Sequence, residues 1–357
     1  MKSVKIAILN YYSGVVDRGV ETFAYEIGRR LVTKHLVTLF HAGPLKPQKF
    51  RTNLTRAFAT SPKSSKGFLG KIYFDWQSTK ILLFTLKLLP ALIKGKYKLI
   101  IPLNGGWQTV ISRLISKLIG AKLLISGHAG IGSDDAWNLL WRPDVFVALT
   151  QAERNWAKKL VPEVRVEVIP NGVDLSRFNP KVLSANVNLQ KPIVVCASAL
   201  VPYKRVDLTV RAVAKAKNLS LLILGNGELA GTIDTLGKRL LGTRYRRMVV
   251  PYHEIPAYYR AADVFTLASK TEAFGISYIE AMACNLSIVT TADNSRAEII
   301  GDAGILTDPA NIEQYARDLG LATNINWRNI PYTQALKFSW NKVTEKYSDL
   351  IDEVITT

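Results

Sequence analysis

The chain of 357 residues is longer than a typical single domain, and 48% hydrophobic residues allow two halves to bury a core each. This composition excludes disordered and collagen-like proteins, and two lone cysteines, Cys196 and Cys284, exclude a disulfide framework. The net charge of +19 is uneven, because residues 1–172 carry 26 Lys and Arg against 10 Asp and Glu, and the remainder carries 21 against 18.

Export or membrane insertion is not expected. The first residues, MKSVKIAILN, form a basic start and a short strand pattern, without the apolar length and cleavage site of a signal peptide. The longest apolar stretch, residues 81–93, is interrupted by Lys87 and Pro90 and falls short of the roughly 20 residues that span a bilayer. A cytoplasmic protein is therefore predicted.

Strand-like and helix-like segments alternate through the first half. Between the first two strands, apolar residues of the segment 19–31 recur on one face of a helix. Continuous apolar strands joined by crossover helices indicate a parallel sheet covered on both faces, which is an α/β domain. The strands are expected at residues 4–10, 36–40, 98–103, 122–126, 145–150 and 166–170.

Residues 66–98 interleave Phe, Tyr and Trp with lysines. They lie in the most basic part of the chain, since residues 27–133 hold 18 basic residues and one acid, Asp75. A basic amphipathic helix is drawn to an anionic membrane interface, so we expect peripheral attachment to the inner face of the membrane. The alternatives are an ordinary crossover helix packed on the sheet, and a basic surface that serves solubility alone.

A second series of strands follows a polar stretch at residues 179–191. Two successive doubly wound units imply a cleft, because ligands bind beyond the carboxyl ends of parallel strands. We expect domains at 1–172 and 173–337, followed by an amphipathic C-terminal helix at 338–357. The second series is expected at residues 193–198, 219–224, 248–250, 264–268, 287–291 and 304–307.

The sharpest motif is residues 272–283 (EAFGISYIEAMA), which follow an expected strand and lead into a helix. Gly275 lets the backbone approach a ligand closely, and the free N–H groups from Phe274 to Ser277 suit a pyrophosphate. Glu280 would accept hydrogen bonds from ribose hydroxyls, and Glu272 would face a sugar. The alternative is a solvated helix start that merely favours acidic residues.

This motif, with seven residues between two glutamates, resembles the signature of retaining GT-B glycosyltransferases of glycosyltransferase family 4. Further blocks in the family's order are IPNGVDLSRF (169–178), LVPYKRVD (200–207), LGNGE (224–228), YYRAADV (258–264) and FSW (338–340). Residues 45–97 match least. The resemblance implies two Rossmann-like domains, a C-terminal helix that crosses back to the first domain, and neither a required metal nor another cofactor.

Lys204 and Arg205 occupy the family's donor-phosphate loop. Cations there would stabilise the charge that develops on a departing diphosphate, although the alternative is two surface charges on a loop. The family's usual Arg is replaced by Ala199, so either Arg205 substitutes for it or phosphate stabilisation is weaker. The resemblance implies a donor-binding set of Gly14, Gly19, Lys204, Arg205, Asn226, Gly227, Tyr252, His253, Ala273, Phe274, Gly275, Ile276 and Glu280.

His128 follows an expected strand within the Gly-rich loop SGHAGIG (126–132) and matches the family's sugar-contacting position. The alternative is a structural histidine. With Glu272, Lys204 and Arg205 it completes the expected catalytic set. The segment NGGW (104–107) either lines the acceptor side or forms a plain turn. Asp134 and Asp135 are adjacent rather than alternating, so they do not predict a metal site.

The expected function is transfer of a hexosyl unit, with retention of configuration, from a nucleotide-diphosphate sugar to a lipid-linked or polysaccharide acceptor in cell-envelope glycan synthesis. The alternatives are a nucleotide-sugar epimerase or phosphorylase on the same fold, and an inactive binding homologue that Ala199 would favour. No nucleic-acid partner is expected, because the sequence contains no nucleic-acid recognition motif.

Overall fold

The computed structural model describes residues 3–16, 19–45, 48, 50–55 and 73–356. The chain divides into two compact units. The first comprises Met1–Asn171 and Trp340–Thr357, and the second comprises Gly172–Ser339.

The first unit contains a seven-stranded parallel sheet in the order β3-β2-β1-β4-β5-β6-β7. Its central strands are buried on both faces, which explains their continuous apolar sequences. The strands are β1 (Lys5–Asn10), β2 (Leu36–His41), β3 (Arg51–Leu54), β4 (Leu99–Pro102), β5 (Lys122–Ser126), β6 (Val145–Ala148) and β7 (Val166–Val168), and the crossover helices are α1 (Gly19–Leu31), α2 (Trp76–Gly95), α3 (Gly106–Ile119), α4 (Ser133–Leu140) and α5 (Gln151–Leu160).

Strand β3 was missing from the prediction. Its sequence, RTNL, is half-buried or exposed and contains one apolar residue, because the strand lies at the edge of the sheet. An edge strand buries little side-chain area, so it leaves no hydrophobic periodicity to detect.

Helix α2 lies within the basic aromatic segment, of which residues 66–72 lie outside the described residues. The Asp75 carboxylate caps its start by accepting the N–H groups of Gln77 and Ser78. One face packs on the sheet through Ile81, Phe84, Leu88 and Leu92, as the crossover-helix alternative predicted. The other face exposes Trp76, Leu83, Leu86 and Ile93 together with Lys87 and Lys94. Among the described helices, none combines the length and apolar character needed to cross a bilayer.

The second unit contains a six-stranded parallel sheet in the order β10-β9-β8-β11-β12-β13, which is the Rossmann order. Its strands are β8 (Ile193–Ala197), β9 (Ser220–Leu224), β10 (Tyr245–Met248), β11 (Val264–Leu267), β12 (Ser287–Thr291) and β13 (Gly304–Thr307). Its helices are α6 (Val206–Lys215), α7 (Ala230–Leu241), α8 (Ile255–Ala261), α9 (Ile276–Ala283), α10 (Asn294–Ile300), α11 (Ile312–Asn324) and α12 (Ile330–Ala335).

The position predicted for the third strand of this series, which forms one edge of the sheet, was wrong. Strand β10 spans Tyr245–Met248 rather than residues 248–250, and Val249 beyond it is 66% exposed. The prediction followed the apolar residues, but this edge strand is built from YRRM. Arg247 pairs with Asp234 on α7, which keeps a charged side chain on the partly buried edge.

Helix α13 (Trp340–Thr356) belongs to the first unit, as the expected return of the C-terminal helix required. Trp340, Val343, Tyr347 and Ile351 join the core that packs α1 against the sheet. The Tyr347 hydroxyl also shares a hydrogen bond of 2.9 Å with that of Ser126 at the end of β5.

Candidate active site

The motif-bearing loops of the second unit lie at its topological switch point. Strands β8 and β11 are neighbours in the sheet, and the loops that follow them carry Lys204 and Glu272. Lys204 Nζ lies 2.5 Å from Glu272 Oε1, with only 14% and 11% of the two side chains exposed. The sequence predicted both residues, and the structure brings them together where doubly wound sheets bind ligands.

Arg205 lies beside this pair and is directed toward the strand ends. Its backbone has a φ of 48°, between the short helical turn that ends at Lys204 and the start of α6. Its Nε donates to the Ala268 carbonyl at 2.7 Å and its Nη2 to the Thr291 hydroxyl at 3.3 Å. Ala199, at the place of the family's usual Arg, is exposed. Arg205 is thus anchored at the carboxyl ends of β11 and β12.

Helix α9 begins at Ile276 with Gly275 as its N-cap. Gly275 has a φ of 84°, and a Cβ there would lie 2.3 Å from the Tyr278 ring, so the turn requires glycine. Phe274 is buried against Phe338, with ring centroids 5.8 Å apart, and the preceding residue Ala273 is half-buried. No side chain caps this helix start, which leaves backbone N–H groups of its first turn for an anion.

Glu280 lies in the second turn of α9 and is buried. Tyr252 donates a hydrogen bond from its hydroxyl to Glu280 Oε1 at 2.5 Å, and the Arg177 guanidinium lies 5.1 Å from the Tyr252 ring centroid. Burial raises the pKa of Glu280 to about 7, against the opposing effects of the Tyr252 hydrogen bond and the Arg177 charge. His253 is 75% exposed on its side chain, 3.8 Å from Glu254, so it does not share this environment.

The glycines of residues 224–228 support the loop that carries Lys204. A Cβ at Gly227 would lie 2.5 Å from the Leu200 carbonyl oxygen, and the Leu200 N–H donates to the Asn226 carbonyl at 2.9 Å. The turn after β9 therefore packs directly on the segment after β8. The Asn226 side chain lies at an exposed position.

The sequence analysis missed Arg296 as a residue of this site. Arg296 is 1% exposed, and its Nη2 donates to the Ser269 carbonyl at 2.9 Å while its Nε lies 3.3 Å from the Tyr278 hydroxyl. It pairs with Asp293, which also caps α10. An Asp three residues before an Arg signals a helix start but does not predict that the Arg folds inward.

A pocket of about 200 Å³ opens in the first unit beyond β4 and β5. His128 lines it, with Nε2 buried and no partner among the described residues. Burial lowers the pKa of His128 to about 3, and its ring packs on Phe23 at 4.4 Å between centroids. The pocket is also lined by Val20, Tyr73, Pro102, Leu103, Asn104, Gly105, Ile125, Ser126, Ala129, Asp134, Asp135 and Asn138.

Asp135 is 1% exposed and holds the His128 loop in place. Its carboxylate accepts the N–H groups of Ala129 at 3.0 Å and Gly130 at 2.8 Å, and the Asn138 amide at 2.9 Å. Burial raises the pKa of Asp135 to about 7, because its effect is larger than the opposing effect of these hydrogen bonds. In the described part of the chain, no three His, Cys, Asp or Glu side chains are grouped to hold a metal ion.

Gly14 has a structural reason to be glycine. Its φ is 81°, and a Cβ would lie 2.6 Å from the Pro44 carbonyl oxygen, where the loops after β1 and β2 meet. Gly19 is the first residue of α1. Asp17 and Arg18, which precede it, lie outside the described residues.

Comparison with known proteins identifies the class to which this fold and these motifs belong. The family model of the glycosyl transferases group 1 matches residues 182–326, and that of glycosyltransferase family 4 matches residues 18–177. The two matches cover most of both Rossmann-like units. The chain belongs to glycosyltransferase family 4.

Characterised relatives match this chain over part of their length. A GDP-mannose-dependent alpha-(1-6)-phosphatidylinositol monomannoside mannosyltransferase of Mycolicibacterium smegmatis is 28% identical over 200 residues, which are 50% of this chain and 52% of the relative. A D-inositol 3-phosphate glycosyltransferase of Salinispora tropica is 28% identical over 225 residues, covering 54% of this chain and 46% of the relative. The chain therefore spans about half the length of the curated relatives it matches.

Solved structures of GT-B glycosyltransferases share the fold. Anabaena Alr3699/HepE in complex with UDP and glucose has a TM-score of 0.76 and 18% identity, over 98% of this chain and 100% of that chain. Sucrose-phosphate synthase from Thermosynechococcus elongatus has a TM-score of 0.79 and 17% identity, over 99% of both chains.

Proposed function

We propose that this protein transfers a hexosyl unit from a nucleotide-diphosphate sugar to a lipid-linked or polysaccharide acceptor in cell-envelope glycan synthesis. The observation that carries the proposal is the pairing of Lys204 with Glu272 at the switch point of the second sheet. The uncapped start of α9 and the buried Glu280 belong to the same motif.

Each residue of this group has a role in holding the donor. Lys204, assisted by Arg205 and the first N–H groups of α9, stabilises the diphosphate as negative charge develops on it. Glu280 accepts hydrogen bonds from the ribose, and Tyr252 lies beside the base. Glu272 releases Lys204 when the diphosphate arrives and orients the sugar. His128, held neutral by burial, contacts a sugar ring bound in the pocket of the first unit.

We propose that transfer proceeds with retention of configuration on one face of the sugar. The bond from the anomeric carbon to the diphosphate oxygen breaks, and the acceptor hydroxyl oxygen forms the new bond on the same side. The acceptor proton moves to the departing phosphate oxygen. This route requires neither a covalent nucleophile nor a metal ion, and its charge is stabilised by Lys204 and the α9 amides.

The named activities of the relatives support this choice of chemistry. The Mycolicibacterium protein is a mannosyltransferase that depends on GDP-mannose, and the Anabaena protein was crystallised with UDP and glucose. Both proteins use a nucleoside diphosphate or its sugar derivative. This is the class of ligand that suits Lys204, the start of α9 and Glu280 in the second unit. The mannosylated phosphatidylinositol acceptor of the former supports a lipid-linked acceptor here.

We also propose peripheral attachment to an anionic membrane through the outer faces of α2 and α3, which pack side by side. Leu83 and Ile93 on α2, and Leu114 and Leu118 on α3, are all about half exposed or more. Exposed lysines interleave with them at positions 87, 94 and 117. An apolar surface edged with lysines gains free energy from both acyl chains and anionic headgroups.

The donor proposal is tested by thermal unfolding with a panel of nucleotide sugars. A donor at 100 times its Kd stabilises the fold by about 2.7 kcal/mol, so the preferred sugar and base are identified by the largest rise in Tm. Lys204→Ala should lower that rise, whereas Lys215→Ala, which removes an exposed lysine of the same unit, should retain it. A panel without any rise, or an unchanged rise in Lys204→Ala, contradicts donor binding at this site.

Turnover distinguishes transfer from the alternative activities. The identified donor is incubated with and without octyl glycosides or extracted membrane lipid, and products are followed by proton NMR. Acceptor-dependent product with the anomeric configuration of the donor supports the proposal. Epimerised or hydrolysed donor formed at full rate without acceptor indicates the epimerase-type alternative, and donor binding without any turnover indicates an inactive homologue.

Membrane attachment is tested by flotation with vesicles of phosphatidylcholine, alone or mixed with phosphatidylglycerol, at low salt. We expect flotation with the anionic vesicles and its loss in the double variant Leu83→Glu/Leu118→Glu. Leu183→Glu, at an 88% exposed position of the second unit, is the matched control. Equal partitioning into both vesicles, or no effect of the double variant, contradicts attachment through this face.

A further inference from the structure

The pocket of the first unit has a wall of fixed polar groups. Asp134, at the start of α4, accepts a hydrogen bond of 2.7 Å from the Tyr73 hydroxyl. Asn138 donates to Asp135 and accepts from the Thr109 hydroxyl at 2.7 Å. These bonds fix the orientation of the lining groups before a ligand binds, which lowers the entropic cost of binding.

Two groups of the lining can form further hydrogen bonds with a ligand. Nε2 of His128 is buried without a hydrogen-bond partner among the described residues, and this neutral ring nitrogen can donate or accept. Asp134 is exposed, and a carboxylate has room for further donors beyond the one Tyr73 hydroxyl. A hydroxyl group satisfies either of them, because it is donor and acceptor at once.

Tyr73 lines the same pocket and belongs to an aromatic cluster with Trp107 and Trp137. The rings of Tyr73 and Trp137 lie 5.2 Å apart, and Trp107 lies 6.5 Å from Trp137. Trp107 donates its indole N–H to the Tyr73 carbonyl, and Trp137 donates to the Gly106 carbonyl, so both rings are held in place. The two tryptophans support Tyr73, and its aromatic ring beside hydroxyl-binding groups suits the alternating apolar and polar surfaces of a sugar or cyclitol ring.

The charge of the pocket favours a neutral ligand. Two carboxyl groups, Asp134 and Asp135, line it, while the described lining contains neither Lys nor Arg. His128 adds no positive charge near neutral pH, since burial lowers its pKa to about 3. A phosphate placed here would meet like charge without a compensating cation. The small volume, about 200 Å³, suits one ring rather than a drug-sized ligand of about 300 Å³ or more.

We propose that this pocket takes an uncharged polyhydroxyl ring of the acceptor, a sugar or a cyclitol, and rejects the same ring when it carries a phosphate. Asp134 is the specificity-determining residue, because it accepts ring hydroxyls and repels anions. The inference rests on the proposed function and specifies its acceptor class.

The test is saturation-transfer NMR on the full chain with pairs of neutral and phosphorylated rings. The probes are methyl α-mannoside, methyl α-glucoside, methyl α-galactoside and myo-inositol, each beside its monophosphate. We expect at least one neutral ring to bind, and to bind at least tenfold more tightly than its phosphate. Asp134→Ala should abolish that binding, and Asp134→Lys should reverse the preference within the pair.

Asp349→Lys is the matched control, because it makes the same charge change at an exposed position of α13. It should leave the preference for the neutral ring unchanged. The inference is overturned if a phosphorylated ring binds as tightly as its neutral parent, or if no neutral ring gives a signal that depends on Asp134. The donor-induced rise in Tm is measured on the same samples. Its persistence shows that only the acceptor inference has failed, and its absence shows that the proposed function has failed too.

Discussion

The two units share a sheet topology but line their candidate sites with different charged groups. In each, the first strand lies at the centre, the chain winds outward on both sides, and the candidate residues follow neighbouring strands. The second unit places Lys204 and Arg205 beside its glutamates, whereas the pocket of the first unit is lined by Asp134, Asp135 and a neutral histidine.

This difference runs against the net charge of each half. Residues 1–172 carry 26 basic and 10 acidic residues, a difference of +16, yet their pocket is lined by carboxyl groups. The remainder carries 21 and 18, a difference of +3, yet its site has the cations. Net charge therefore describes the outer surface of each unit, such as the lysines of α2, and local hydrogen bonding decides the charge at the site.

The largest effect that sharpens this comparison is expected from Lys204→Ala. Removing the cation nearest the expected diphosphate should lower kcat by about 100- to 1000-fold, the range seen when one preorganised transition-state contact is lost. Steady-state turnover of the donor identified by thermal unfolding measures it. Lys215→Ala should stay within about twofold of the unchanged protein. A loss below tenfold in Lys204→Ala would show that the cation is not part of the chemistry.

The next effect concerns the buried acids of the first unit. Burial, and secondarily the nearby Asp135, raise the pKa of Glu153 to about 9 from 4.5, against one hydrogen bond from the Leu149 N–H. Because the folded pKa is the higher one, its contribution to stability is complete below pH 4.5 and is lost as the pH rises toward 9. Glu153→Gln should therefore stabilise the protein at pH 8, by an amount on the order of a few kcal/mol.

Thermal unfolding between pH 5 and 9 measures this effect. The Tm of the unchanged protein should fall across that window, and the curve of Glu153→Gln should be flatter. Glu163→Gln, at a half-exposed position of the same unit, should follow the unchanged protein. Parallel curves for Glu153→Gln and the unchanged protein would mean that Glu153 is ionised in the fold.

A smaller effect tests the support of the Lys204 loop in the second unit. In Gly227→Ala the new Cβ meets the Leu200 carbonyl oxygen at 2.5 Å, so the loop must shift. We expect a loss of about 1–3 kcal/mol in the free energy of unfolding, measured with urea, and weaker donor binding. Full stability with unchanged donor affinity would show that this turn does not position Lys204.

The smallest expected effect is a gain in stability in Gly320→Ala. This variant is the control for Gly227→Ala, because it replaces another glycine of the second unit. Gly320 lies inside α11, and a Cβ there would meet nothing within 4 Å. Gly320→Ala should raise the free energy of unfolding by about 0.5–1 kcal/mol, because alanine loses less backbone freedom in a helix. Urea unfolding measures this change. Destabilisation would show that the added methyl group meets a neighbour and that the space around Gly320 is not open.

Much of the fold was predictable where burial repeats in the sequence. The strands at Lys122–Ser126, Ser287–Thr291 and Gly304–Thr307 and the helix at Gly19–Leu31 have the predicted bounds, because each is a continuous apolar run or a clear helical face. The edge strand β13 was found from its apolar residues, whereas two other edge strands, β3 and β10, were missed or displaced. Each buries too little side-chain area to impose a period on its sequence.

The candidate site was predictable where its residues lie within recognised motifs, as Lys204 does in 200–207 and Glu272 in 272–283. Glu272, Gly275 and Glu280 occur within nine residues, so their spacing on a loop and helix can be read directly. The partnership of Tyr252 with Glu280, and the inward turn of Arg296, join residues whose separation along the chain carries no period. Such contacts depend on how strands are ordered in the sheet.

The amino-acid sequence alone determined the two doubly wound units, the helix start at Gly275 and the cationic loop at Lys204, because hydrophobic period and glycine position are local properties. The tertiary structure alone decided that the +16 half has a pocket lined by carboxyl groups, and that Arg205 is anchored to the ends of β11 and β12. The physical reason is that charge at a site depends on burial and on hydrogen-bond partners distant in the chain.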